Sequence, residues 1–427
     1  VVQAEVDFRE AFRTWLKIGC LGFGGPAGQI ALMHRILVDE KKWVEESRYL
    51  HALNFCMLLP GPEAQKLATY VGWLLHGVRG GLAAGILFVL PGAFVMLAVS
   101  LLYVLGQGVP VVDGALFGIK AAVLVIVVEA LIRIGRRSLK SRLLIGVAAA
   151  AFIGIFFLDL PFPLIVALAA IVGFFIAKPQ TTAPGEKIPG RWRQAATAAV
   201  VGLALWWTPI GLSVIALGAD HVFTDIGIFF SKLAVVSFGG AYALMAYMAQ
   251  QAVENYGWMS APEMVDGLGL AETLPGPLIK VTQFVGFLAA YRNPDGMNPA
   301  MNAILGSALT TWVTFVPPML LIFAGAPFVE QLRSNQRLSG ALSAITAAVV
   351  GVILNLTIWF VLHVLFANVT EARAGPLRWY AFDPLAIDLK VSALAILAAV
   401  LAFVFHRGLV QLVAIMAALG IAVRLLS

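Results

Sequence analysis

The chain has 427 residues, 60% hydrophobic and 12% charged, with a formal net charge of +6. Soluble domains carry about 25% charged residues, so this composition excludes an ordinary water-soluble globule and points to lipid as the solvent. The positive balance is loop charge and implies no nucleic acid. The two cysteines, Cys20 and Cys56, do not support a disulfide framework, and no spacing offers a metal or cofactor site.

In chain order, Lys17 stands one to two turns before Phe23-Gly24-Gly25. The next apolar segment is broken at Pro60-Gly61-Pro62, a run that stops a helix, and Lys66 follows one turn later. Gly81–Leu105 and Gly114–Leu131 approach or exceed the ~20 apolar residues of a spanning helix, and Pro91–Gly92 reads as a kink. A polar linker, Lys178–Arg193, precedes an extra apolar segment, Ala195–Gly218. The same features then return. Lys232 precedes Phe238-Gly239-Gly240, and Pro275-Gly276-Pro277 precedes Lys280. Pro317–Pro318 reads as a second kink, and Ile345–Phe366 as a further span. The short alternating segments of a membrane barrel are not visible.

The return is an internal repeat. The Phe-Gly-Gly and Leu-Pro-Gly-Pro motifs recur at an offset of 215 (238 − 23 and 274 − 59), with Lys17 on Lys232 and Trp43 on Trp258. Lys66 aligns with Lys280 at 214, and "GALFGIKAAV" from Gly114 aligns with "GALSAITAAV" from Gly340 at 226. The last register pairs Glu129 with Asn355. The expected fold is an all-α polytopic membrane protein of two homologous halves, 1–177 and 222–427, joined by a linker and one extra transmembrane helix, 178–221.

Orientation follows the bias of Lys and Arg toward cytoplasmic loops. If each broken segment enters and returns on one side, the basic loops around 35–48 and 133–142, Arg79, the N-terminus and the linker all fall inside. The extra helix then flips the second half. Its loops 219–227 and 251–263, which carry no Lys or Arg, lie outside with Arg292, Arg373, Arg378 and Arg424. The halves are thus expected as an inverted repeat with re-entrant hairpins; full crossing is the alternative.

Irregular backbone survives in a membrane only when buried in protein or lining a cavity. Broken segments at matching positions of two halves point to a transporter binding site. Half-helix N-termini and lysines suit an oxyanion. The candidate substrate-binding set is Lys17, Gly24, Gly25, Pro60, Gly61, Pro62, Lys66, Lys232, Gly239, Gly240, Pro275, Gly276, Pro277 and Lys280. The plainer reading has equal weight for each lysine alone: Lys17 snorkels to the interface, and Lys66 and Lys280 face water. Glu272 and Asp266 are candidates for ion coupling, with Glu272 also a candidate partner for Lys280. Glu129 is expected to pair with Arg133.

The stretches "KIGCLGFGGPAGQIALMHRILVDEKKWV", "LLPGPEAQKLATYVGWLLHGVRGG", "SFGGAYALMAYM" and "AETLPGPLIKVTQFVGFLAA" resemble the chromate ion transporter family in its long, two-domain form. The resemblance covers nearly the whole chain. It implies export of chromate, a sulfate-like dianion, across the bacterial cytoplasmic membrane, and hence chromate resistance. A transporter or channel for sulfate or another oxyanion is the alternative; a membrane-embedded reductase lacks the motifs it would need. A homodimer is left open.

Overall fold

The structure is a computed structural model, and it describes residues 6–176, 191–238, 241–325 and 336–426. Gly239, Gly240 and most of the expected linker lie outside those residues. The described chain is helical apart from one short hairpin. Among the described residues, five helical stretches are long and apolar enough to cross a membrane. Four of them cover the spans expected from hydropathy, two falling one residue short, at Gly218 and Phe366.

The chain forms two compact units, and neither coincides with a sequence half. The first draws on Val1–Ser100, Lys178–Gly240 and Leu274–Ser339, the second on Leu101–Ala177, Ala241–Thr273 and Gly340–Ser427.

In the first unit, α1 (Phe8–Leu21) starts on Asp7, whose carboxylate accepts from the amides of Arg9 and Glu10, an N-cap. After Gly22–Gly24, α2 (Gly25–His34) runs on as a wider π-turn to Glu40. α3 (Glu46–Leu58) ends where Pro60-Gly61-Pro62 begins, and α4 (Glu63–Leu105) starts directly after it. α4 is broken at His76 and at Gly77, whose φ is +61° and ψ −149°. The first arm is only about 20 Å long at 1.5 Å per residue, too short to span the ~30 Å hydrocarbon core. It folds back on the second arm. A methyl group on Gly72 would lie 2.6 Å from Ala84 Cβ, although twelve positions along an unbroken helix span about 18 Å.

The same device recurs in α12 (Val281–Arg292) and α13 (Pro299–Gly325). A methyl on Gly80 would meet the Gly72 carbonyl and His76 Cβ; one on Gly306 would meet the Gly286 carbonyl and Ala290 Cβ. These are the same positions in the two repeats, at offsets of 214 (286 − 72 and 290 − 76) and 226 (306 − 80). Small residues let helix backbones approach closely where lipid gives no hydrophobic drive to associate. α8 (Arg191–Leu217) and α9 (Val222–Val235) pack against α13. Trp206 Nε1 donates to Ser231 Oγ at 3.0 Å, and Trp312 Nε1 to the Leu205 carbonyl at 2.9 Å.

The second unit holds α5 (Pro110–Ser138), α6 (Arg142–Phe157), α7 (Phe162–Ile176), α10 (Ala241–Ala249), α11 (Ala261–Thr273) and α14 (Gln336–Leu365). It also holds α15 (Leu389–Ala399) and α16 (Leu409–Leu425). α5 and α16 are in backbone contact, with Gly118 against Met416 and Gly420. Glu129 does pair with Arg133, at 3.6 Å on the exposed face.

The sequence reading missed an antiparallel hairpin, β1 (Val369–Ala374) and β2 (Leu377–Phe382). Its pattern is inverted with respect to polarity. Leu377 and Trp379 are exposed while Arg378, between them, is 2% exposed. The Arg378 guanidinium lies 2.8 Å from Asp159 Oδ1 and 3.6 Å from Glu254 Oε2, and donates to the Ile155 carbonyl at 2.7 Å. Burial pushes the Glu254 carboxyl above its ordinary range, while Arg378 pulls it the other way. Removing one partner of a buried ion network costs about 3–5 kcal/mol. Arg378→Leu is therefore expected to detach the hairpin, read as faster amide exchange over 369–382 with little change elsewhere.

Candidate functional site

Of the fourteen candidate binding residues all but Gly239 and Gly240 are described, and the twelve described ones fall within the first unit. The two proline–glycine–proline turns are held reciprocally, each by the other half of the sequence. The Gly61 amide donates to the Ser237 carbonyl at 3.0 Å, and the Gly276 amide to the Gly22 carbonyl at 2.9 Å. Ser237 and Gly22 are equivalent positions (237 − 22 = 215), each lying just before its Phe-Gly-Gly motif. The turns also sit on equivalent places of the long helices: Gly61 against Pro318 of α13, Gly276 against Gly92 of α4. Such reciprocity is the mark of a local two-fold relation between repeats.

Backbone and space both demand glycine at the two turns. Gly61 has φ +104° and Gly276 φ +93°, in the left-handed region that side chains resist. A methyl on Gly61 would lie 2.5 Å from Pro318 Cγ, and one on Gly276 3.2 Å from Gly92 Cα. Pro91–Gly92 and Pro317–Pro318 are therefore more than kinks. Gly92 and Pro318 form the seats of the two turns. Their shared offset of 226 (317 − 91) was the signal for this in the sequence.

Lys66 and Lys280 lie directly beneath the turns, each 1% exposed. Lys66 Nζ donates back to the Leu59 carbonyl; Lys280 Nζ donates to Leu274 O at 3.0 Å and Gly276 O at 3.3 Å. Leu59 and Leu274 are again equivalent. Each lysine thus caps carbonyls left by a helix that has ended, and brings a buried positive charge to the break. The Lys66 ammonium has three donors and caps the Leu59 carbonyl with one, so capping does not preclude holding an anion there. Neither snorkelling nor exposure to water describes these two lysines.

The other candidates are placed differently. Lys17 and Lys232 are exposed on α1 and α9. Gly24 (φ +82°) and Gly25 (φ +68°) form the bend that opens α2. Gln29, outside the candidate binding set, ties that bend to the opposite turn: Nε2 donates to Gly22 O at 3.1 Å and Gly276 O at 2.7 Å. Gln65 reaches Phe315 O at 3.0 Å, and Gln283 reaches Ala93 O at 2.9 Å. Glu63 stands at the start of α4, where a carboxylate favours the helix dipole and would repel an anion.

The coupling candidates belong to the second unit. Glu272 is buried and accepts from the Tyr242 hydroxyl at 2.6 Å. Asp266 is buried and accepts from the Tyr103 hydroxyl at 3.0 Å, with Lys120 Nζ at 3.4 Å.

The geometry can be set beside known proteins. The family model described as "Chromate transporter" matches residues 9–174 and 224–423. A chromate transport protein of Pseudomonas aeruginosa is 32% identical over 364 residues, covering 82% of this chain and 80% of its own. A probable chromate transport protein of Synechococcus elongatus is 26% identical, covering 82% of this chain and 84% of its own. A chromate transport protein of Cupriavidus metallidurans is 25% identical, covering 81% and 80%. No solved structure matches.

Proposed function

This chain belongs to the chromate transporter family, a multi-pass, repeat-built membrane protein, and on that premise we propose that it carries chromate across the cytoplasmic membrane of a bacterium. The observation that carries the reading is the reciprocal seating of the two proline–glycine–proline turns, with a buried lysine under each. Two short helices begin there, and their first amides and the two ammonium groups favour an anion. A tetrahedral dianion matches that charge.

We place the substrate at this crossing, with Pro60, Gly61, Pro62, Lys66, Pro275, Gly276, Pro277 and Lys280 nearest it and the bend at Gly24 and Gly25 behind. The repeats, 1–177 and 222–427, are taken as inverted, with the 178–221 segment reversing the second and the N-terminus in the cytoplasm. Alternating access would come from rocking of one repeat against the other about the crossing. The direction is export, because an inside-negative potential drives an anion outward by about 2.3 kcal/mol per charge per 100 mV. Export of chromate would confer resistance to it.

The test is radiolabelled chromate flux in proteoliposomes under an imposed potential, with sulfate as competitor. Saturable flux that follows the potential supports the reading. Flux linear in concentration indicates a pore. Sulfate flux without chromate flux keeps the site and changes the substrate.

A further inference from the structure

The second unit contains a cavity of about 330 Å³, lined in part by Tyr103, Asp113, Lys120, Glu263, Asp266 and Arg424. Asp266 is its most enclosed charged group, 3% exposed. The two oxygens of its carboxylate are treated unequally. Oδ2 receives the Tyr103 hydroxyl at 3.0 Å and lies 3.4 Å from Lys120 Nζ. Oδ1 is buried with no donor among the described residues. A buried acceptor left without a partner is costly, and more so when charged.

We infer that Asp266 is a proton-binding site, and that loading it releases Lys120 into the cavity. A proton from water adds to a carboxylate lone pair, the carboxylate becomes a neutral acid, and no electron changes hands. The pair is unequal in what it loses. Ionised Asp266 is buried and needs its cation. The Lys120 side chain is 24% exposed and borders the cavity, so water can solvate its charge when Asp266 is neutral. Protonation thus parts the Lys120 ammonium from the Asp266 carboxylate and leaves it facing an open cavity.

The groups around it set the balance. Lys120 of α5 and Arg424 of α16 favour the charged carboxylate, as does the Tyr103 hydroxyl at the end of α4. Asp113 of α5 and Glu263 of α11 oppose it. Glu263 is also engaged with Ser260, accepting from its amide at 2.8 Å and its hydroxyl at 2.9 Å. The site needs no chromate, so it stands or falls separately; only its consequence, a cation presented to an anion when a proton is aboard, rests on the transport reading.

The experiment is a pH titration of the purified full chain in lipid by difference infrared spectroscopy, following the carboxylic acid C=O band. The expected result is a band that grows as pH falls and is missing in Asp266→Asn. Lys120→Met removes the stabilising cation and moves its midpoint to higher pH, by roughly 1 unit or more. Tyr103→Phe moves it the same way by less. A band unchanged in Asp266→Asn, or a midpoint indifferent to both Lys120→Met and Tyr103→Phe, overturns the proposal. If Asp266→Asn does not fold, the other two variants decide alone. Chromate flux on the same preparations separates the readings: a titrating Asp266 in a protein that moves no chromate keeps the proton site and rejects the substrate.

Discussion

Gly61→Ala is expected to destabilise the protein strongly, through backbone and packing together. The methyl would lie 2.5 Å from Pro318 Cγ, at a backbone φ of +104°. The left-handed backbone alone costs about 1–2 kcal/mol with a side chain, and overpacking typically adds 1–3 kcal/mol. The expected loss is therefore about 2–5 kcal/mol, read as a lower unfolding temperature in detergent and a lower folded yield. The seat supplies an internal control. Pro318→Ala removes Cγ, the nearest atom to the methyl at 2.5 Å, and leaves Cβ at 2.8 Å, so the double variant should recover some of the packing part of the loss and none of the backbone part. Simple additivity of the two changes would mean that the turn does not rest on Pro318. Gly276→Ala should follow the same course more mildly, since its methyl would be 3.2 Å from Gly92 Cα.

Lys66→Met and Lys280→Met should each reduce chromate flux by about 10-fold or more. A charge-assisted hydrogen bond contributes about 1.5–3 kcal/mol, and 1.4 kcal/mol is a factor of ten. Both variants should also lose stability, because Leu59 and Leu274 each lose a donor to their carbonyls. Flux and stability must therefore be separated. Chromate should raise the unfolding temperature of the wild-type protein in proportion to site occupancy, and this increment should vanish in both variants. If the variants are less stable but keep both the increment and the flux, the lysines are helix caps and no more. Equal effects at the two positions are expected from their equivalent surroundings.

Much of this was legible in the order of residues. Apolar length marked the spans, because a helix must cross a fixed thickness of hydrocarbon. The offsets of 215, 214 and 226 marked the repeat, and the described helices keep the same registers. Proline and glycine marked the breaks, since their backbone constraints are local and need no partner to be read. Lysines beside those breaks marked the candidate site.

What remained hidden required knowing which segments touch. Hydropathy assigns Lys66, Lys280, Lys17 and Lys232 alike; only folding buries the first pair on carbonyls and leaves the second pair exposed. Arg378 read as a loop charge, because polarity patterns cannot anticipate three carboxylates, Asp159, Glu254 and Glu371, gathered from distant parts of the chain. The cavity at Asp266 likewise joins residues from α4, α5, α11 and α16. The chain itself determined a membrane solvent, a duplication and four helix breaks, because those follow from local composition and local stereochemistry. Tertiary structure alone decided that each proline–glycine–proline turn is held by the opposite repeat, because that partnership is a matter of contacts between segments more than 170 residues apart (237 − 61 and 276 − 22).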